Sequence, residues 1–205
     1  FLLQSLDEPT KKEVHNSCAA YYAKQAKSSE ATLEQIYHEL ASDHQQEAIS
    51  KIVEFGRDIV SQGHLELLNL IEDVNTDGLK PKTLAPMLQL QGDILLMLGR
   101  FEQATAIFEN ASSASQSAGS EVIFSEILGS QADIAMKQGM TDLALESHKQ
   151  ALEVQVKLGD SKGAARTYNN MGYLYRRKND KSKALAAYSE VEAILSNDES
   201  LLGAQ

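Results

Sequence analysis

A 40-residue period constrains this chain more than any other feature. Ala104, Ala144 and Ala184 are each 40 residues apart, and the same neighbours return around them. Gly92, Ala132 and Gly172 lie twelve positions before each alanine, Gly99, Gly139 and Asn179 lie five before, and Phe108, His148 and Tyr188 lie four after. Self-similarity at this spacing marks an array of small units, each burying one face on the next. The small residues let two helices of a hairpin approach closely. The ring position fills the gap to the next hairpin. Gly99, Gly139 and Asn179 end the first helix of each pair, where a left-handed residue is wanted and Gly or Asn is least strained.

These marks place helix pairs at 82–98 with 101–118, 121–138 with 141–158, and 161–178 with 181–197. The expected fold is all-α, a right-handed α-α superhelix of helical hairpins. Three repeats (82–118, 121–158 and 161–197) fill 81–197, and 198–205 reads as a tail. The first 80 residues are less regular but still helical, and read as a segment packed on the stack. Asp7-Glu8-Pro9 is a helix start, with an acidic cap and proline in the first turn. That helix runs through Val14, Cys18 and Tyr22. A second covers Leu33 to Leu40, a third runs from Ala48 to a stop at Gly63, and a fourth covers Leu65 to Ile71. Asn75-Thr76-Asp77-Gly78 before Pro81 is a turn cluster and the expected sub-boundary, a packed joint in place of a flexible linker.

Composition agrees with a helical stack. An apolar share of 42% is low for one compact core, and the chain has three prolines and no tryptophan. The net charge of -10 argues against direct nucleic-acid binding and against anionic membrane surfaces. No apolar run approaches the roughly 20 residues of a membrane span. One cysteine, Cys18, reads as a small buried hydrophobe in a reduced, cytoplasmic setting. The start at Phe1 and the apolar Leu201-Leu202 read as a piece of a longer stack.

Residues 84–195 resemble three tetratricopeptide repeats of the 40-residue, kinesin-light-chain-like kind. The third repeat carries the likeness best, in Tyr168-Asn169-Asn170-Met171-Gly172-Tyr173-Leu174-Tyr175. The second departs, with Ala132 for the glycine and His148 for the aromatic. Leu6-Asp7-Glu8, Val14-His15, Ala19-Ala20-Tyr21-Tyr22 and Ile36-Tyr37-His38-Glu39-Leu40 resemble the helical segment before the repeat sensor in signal-transduction ATPases with numerous domains. That resemblance implies an upstream nucleotide-binding module. The fragment itself has no Gly-Lys-Ser/Thr phosphate loop.

Nothing in the chain assembles a catalytic or cofactor set. No two of the five histidines (His15, His38, His44, His64 and His148) stand three or four residues apart, as a helical zinc pair would. His148 falls on the ring position, and His15 and His38 read as polar caps on packed helices. No Gly-x-Ser-x-Gly turn accompanies the serines. The expectation is a protein that binds partners, with no enzymatic activity, no metal and no cofactor.

In the repeat family the first helix of each pair lines the concave face. The resemblance therefore implies a binding face of Gln89, Asp93 and Leu96 from the first repeat, and Glu126, Ser130, Asp133 and Lys137 from the second. Arg166, Asn169, Asn170, Tyr173 and Arg177 come from the third. Arg166, Arg176, Arg177, Lys178, Lys181 and Lys183 make the third hairpin basic in an acidic chain. Arginine pairs with carboxylate and asparagine bonds peptide backbone, so an acidic or C-terminal peptide segment is the expected partner. The alternatives are a solvated basic hairpin and self-association through open stack ends.

Overall fold

A computed structural model of the chain describes residues 5–25 and 28–202, with side-chain surroundings through residue 196. The described residues contain ten helices and no strand. The chain clusters into two compact units, 1–107 and 108–205.

In the first unit α1 (Glu8–Tyr22) begins as expected: Asp7 accepts a hydrogen bond from the Thr10 amide at 2.9 Å, with proline in the first turn. Ser28 caps α2 (Ser29–Leu40) by accepting from the Ala31 amide. α3 (Gln45–Ser61) buries Ala48, Ile49, Ile52, Gly56, Ile59 and Val60, one stripe at helical spacing. α4 (Leu67–Glu72) is a short helix, and Leu65 lies in the turn before it. Lys80 precedes α5 (Pro81–Met97), which opens on proline. α1 packs on α2, α2 on α3, and α3 on both α4 and α5. Gly56 eases the close packing of α3 on α5: a Cβ there would meet Cδ2 of Leu90, the tip of a side chain that would have to shift. Glu39 of α2 is buried, and its carboxylate accepts from Gln35 at 2.7 Å and from the Lys51 ammonium of α3 at 2.9 Å.

α6 (Phe101–Ala118) spans the division between the units. The second unit continues with α7 (Glu121–Lys137), α8 (Thr141–Leu158), α9 (Ser161–Arg177) and α10 (Lys181–Leu202). α7 pairs with α8, α9 pairs with α10, and α8 packs on α9. Ala135, Ala144, Leu145, Met171 and Leu174 form a shared core. A buried hydrogen bond from the Thr167 hydroxyl to the Gln155 amide oxygen, 2.9 Å long, joins α8 to α9.

The repeat marks perform the roles assigned to them. Ala104, Ala144 and Ala184 are buried, as are Phe108 and His148 at the ring position. Gly99, Gly139 and Asn179 are all left-handed, with φ of 72°, 77° and 60°. One boundary differs: α10 runs to Leu202, past the end expected at 197. The chain there carries no glycine or proline before Gly203 to stop it. The side chains of Leu201 and Leu202 lie outside the described residues.

Candidate partner-binding face

In the second unit, α7 and α9 carry matching stripes in the same register. Glu126, Ser130, Asp133 and Lys137 recur 40 residues later as Arg166, Asn170, Tyr173 and Arg177. The spacing of four, three and four residues keeps each set on one helix face. Arg166, Asn169, Tyr173 and Arg177 are exposed, Asn170 is half-buried, and Lys137 is exposed beside half-buried Asp133. Glu126 and Ser130 are half-buried and engaged in interactions of their own.

Asp133 links the two stripes electrostatically. Burial raises its pKa above 3.8, while the charges of Arg166 and Lys137 pull it back in part. A folded carboxyl that keeps its proton to higher pH than the unfolded one loses stability as pH rises above that ordinary value. Asp133→Asn is therefore expected to raise the melting temperature near neutral pH and to have no such effect near pH 4. Melting curves of the two proteins at both pH values check this.

The basic surplus of the third hairpin is smaller than its residue count suggests. The Lys178 ammonium is bonded to Asp142 and that of Lys183 to Asp180 at 3.0 Å. The Arg176 guanidinium lies 5.7 Å over the Tyr173 ring. That contact positions Tyr173 as an exposed ring flanked by positive charge. What α9 presents is a ring, two amides and the cations of Arg166 and Arg177. The α7 stripe adds carboxylates, so the face is mixed in sign.

The first-repeat residues stand apart from this set. Gln89 and Asp93 belong to α5 in the other unit. Gln89 is 2% exposed and does not offer an accessible surface. Register alone does not account for this: 40 and 80 residues on, Gln89 matches Gly129 and Asn169, and Asn169 is exposed. Asp93 and Leu96 are half-buried.

One cluster escapes sequence reasoning. His15 of α1 and His38 of α2 are not separate caps: their Nδ1 atoms are 2.8 Å apart, so one ring donates and the other accepts. Tyr22 stacks on His38 with centroids 5.8 Å apart. Burial, then the proximity of His15, lowers the His38 pKa, and Glu34 opposes this. The available signal was the shared face of His15, Cys18 and Tyr22 on α1. Cys18 itself is half-buried. Among the described residues no group of three or more His, Cys, Asp or Glu is placed to hold a metal ion, and no helix is long and apolar enough to cross a membrane.

Comparison with known proteins agrees with this architecture. The tetratricopeptide repeat family model matches residues 124–197. Tetratricopeptide repeat protein 29 of Trypanosoma brucei brucei is 26% identical over 205 residues, covering 91% of this chain and 41% of that protein. The chain thus spans about two-fifths of the length of that curated relative. Among solved structures, a Signal Transduction ATPase with Numerous Domains carrying a tetratricopeptide repeat sensor, from Pyrococcus horikoshii, matches with a TM-score of 0.65 and 13% identity. That match covers 92% of this chain and 34% of the ATPase. A Podosopora anserina protein of kinesin-light-chain type, with nearly identical repeats, matches with a TM-score of 0.54 and 15% identity, covering 96% of this chain and 91% of its own. At these identities the structural likeness speaks for the fold.

Proposed function

We propose that the α7–α9 face binds an extended peptide segment of a partner protein: residues 124–197 match the tetratricopeptide repeat family model, and such repeats mediate protein–protein interaction. The observation that carries this reading is the α9 stripe: Arg166, Asn170, Tyr173 and Arg177 are aligned on one face in an otherwise acidic chain. The two amides suit the backbone of an extended peptide, and Arg166 and Arg177 suit carboxylates along it. Glu126 and Asp133 on α7 disfavour a uniformly acidic ligand. The fitting segment places its acidic side chains, or its C-terminal carboxylate, over α9.

A peptide-array screen with the purified chain, repeated with Asn170→Ala and Arg177→Ala, tests this. The expected result is a set of peptides enriched in acidic residues, bound at least about tenfold more weakly by each variant. Equal binding by parent and variants sinks the assignment. The chain's likeness to the repeat sensor of the ATPase supports a place for this face in the sensing arm of a larger regulatory protein. Whether the full-length protein carries a phosphate-binding loop checks that, and a full-length sequence without one excludes it.

A specific observation favours a second reading, self-association through α10. Leu145 of α8 is 5% exposed because α9 covers it, whereas its repeat equivalent Leu185 is 67% exposed. Leu195 on the same helix is 53% exposed. Sedimentation over a range of concentrations separates the readings. Association that Leu185→Glu abolishes supports this one, and a strictly monomeric chain removes it.

A further inference from the structure

We propose that the His15–His38 pair is an acid-opened latch between α1 and α2, holding α1 in place while the two rings share a proton and releasing it when both rings are charged. The pair lies in the first unit and is unrelated to the α7–α9 face. Both helices build it. The Nδ1 atoms are 2.8 Å apart and the ring centroids 5.0 Å apart. Tyr22 of α1 stacks on His38, and Tyr37 of α2 meets His15 edge to face with centroids 5.8 Å apart. α1 has little else to hold it. Of its 15 residues only His15 and Ala19 are buried. The Lys12–Asp43 ion pair also ties α1 to the chain after α2, but it is exposed, and such pairs contribute little.

Proton counting gives the latch its shape. With both rings neutral, one Nδ1 donates and the other accepts. A first proton is taken at the bare Nε2 of the donating ring, and the Nδ1 bridge survives. A second proton must go to the accepting Nδ1. Both Nδ1 atoms then carry hydrogen, the bridge is lost, and two imidazolium ions face each other across the α1–α2 packing. The surrounding groups do not cancel this. Burial most of all, then His15 across the interface, disfavours the charged form of His38, and Glu34 on α2 opposes them only in part. On α1, Lys11 is paired with Glu8. On α3, Lys51 is matched to Glu39 of α2. α4 buries Leu67, Leu68 and Ile71, none of which titrates. The sign is therefore that of a histidine harder to protonate when folded: docking of α1 is full above about pH 6.5 and weakens as pH falls and the second proton binds.

Hydrogen exchange of the full chain, read peptide by peptide near neutral pH and in mild acid and corrected for the intrinsic pH dependence of amide exchange, tests the latch. Relative to α3, the amides of α1 are expected to exchange about tenfold faster near pH 5 than near pH 7, because each unit by which the second proton is disfavoured is tenfold in opening. His38→Gln keeps a hydrogen-bonding group that cannot charge, and is expected to abolish this change. His148→Phe, in the second unit, is expected to keep it. Should His38→Gln loosen α1 at both pH values, the parent supplies the deciding measurement. An NMR titration of its imidazole nitrogens is expected to show the pair taking up protons in two steps, with α1 opening on the second. The proposal is overturned if α1 exchanges alike at the two pH values, or if His38→Gln responds to acid as the parent does. It is equally overturned if His148→Phe removes the response, or if α1 opens with the first proton.

Discussion

Replacing Gly172 with valine is expected to destabilise the second unit by about 3 kcal/mol, lowering its melting temperature by roughly 12–24 °C. A Cβ on Gly172 would lie 2.7, 2.8 and 3.0 Å from Cε1, Cζ and Cδ1 of Tyr188. The obstacle is one side of a ring, which cannot bend away as the tip of a leucine can. α9 and α10 would have to separate, and their packing forms the third hairpin. Alanine at the same position brings the same first contact, partly offset by its helix propensity advantage of about 1 kcal/mol over glycine. The second repeat supplies an internal comparison, because there Ala132 stands with His148, a smaller ring, at the matching positions. Gly172→Ala combined with Tyr188→His is therefore expected to be more stable than the two single effects predict, by about 1 kcal/mol. Urea denaturation of the four proteins measures this coupling. A Gly172→Val protein as stable as the parent would show that the small residue is not what sets the helix separation.

The role of that glycine is legible in the amino-acid sequence because it is local and repeats. The same holds for Gly139 and Asn179: a left-handed turn residue after a helical run needs no knowledge of distant packing, and both adopt it. The helix limits from 81 to 177 follow from these marks to within one residue. The candidate face is legible only in part. Arg166, Asn169 and Tyr173 are exposed as expected, yet Gln89 is closed off, because the face that each helix buries is set by its partners. His15 and His38 are separated by 23 residues and meet only through the α1–α2 packing, which no period encodes. The paired roles of Lys178 and Lys183 are hidden for a related reason: a residue count cannot reveal that a lysine is matched to Asp142 or Asp180.

Mild acid is expected to remove about 3 kcal/mol of stability through one side chain, His148. The 40-residue period puts this histidine at the ring position, and it is 1% exposed there, with neither ring nitrogen bonded to a protein atom. Burial, then the nearby Arg166, lowers its pKa from 6.5 to about 4. The sign follows directly. Between those two values the unfolded chain binds a proton that the folded chain refuses, so stability is full above about pH 6.5 and declines as pH falls toward 4. His148→Phe, which restores the residue type found at Phe108, removes both this liability and two unpartnered polar atoms. It is expected to stabilise the chain by about 1–2 kcal/mol near pH 7 and by more near pH 5. The His38 pKa is also lowered by burial and by His15, so some acid sensitivity remains in that variant, and His38→Gln removes that remainder separately. Melting temperatures of the parent and the two variants near pH 7 and near pH 5 resolve the contributions. Should His148→Phe lose as much stability as the parent over that interval, the acid sensitivity belongs elsewhere, and the buried imidazole is held by an interaction that offsets its desolvation.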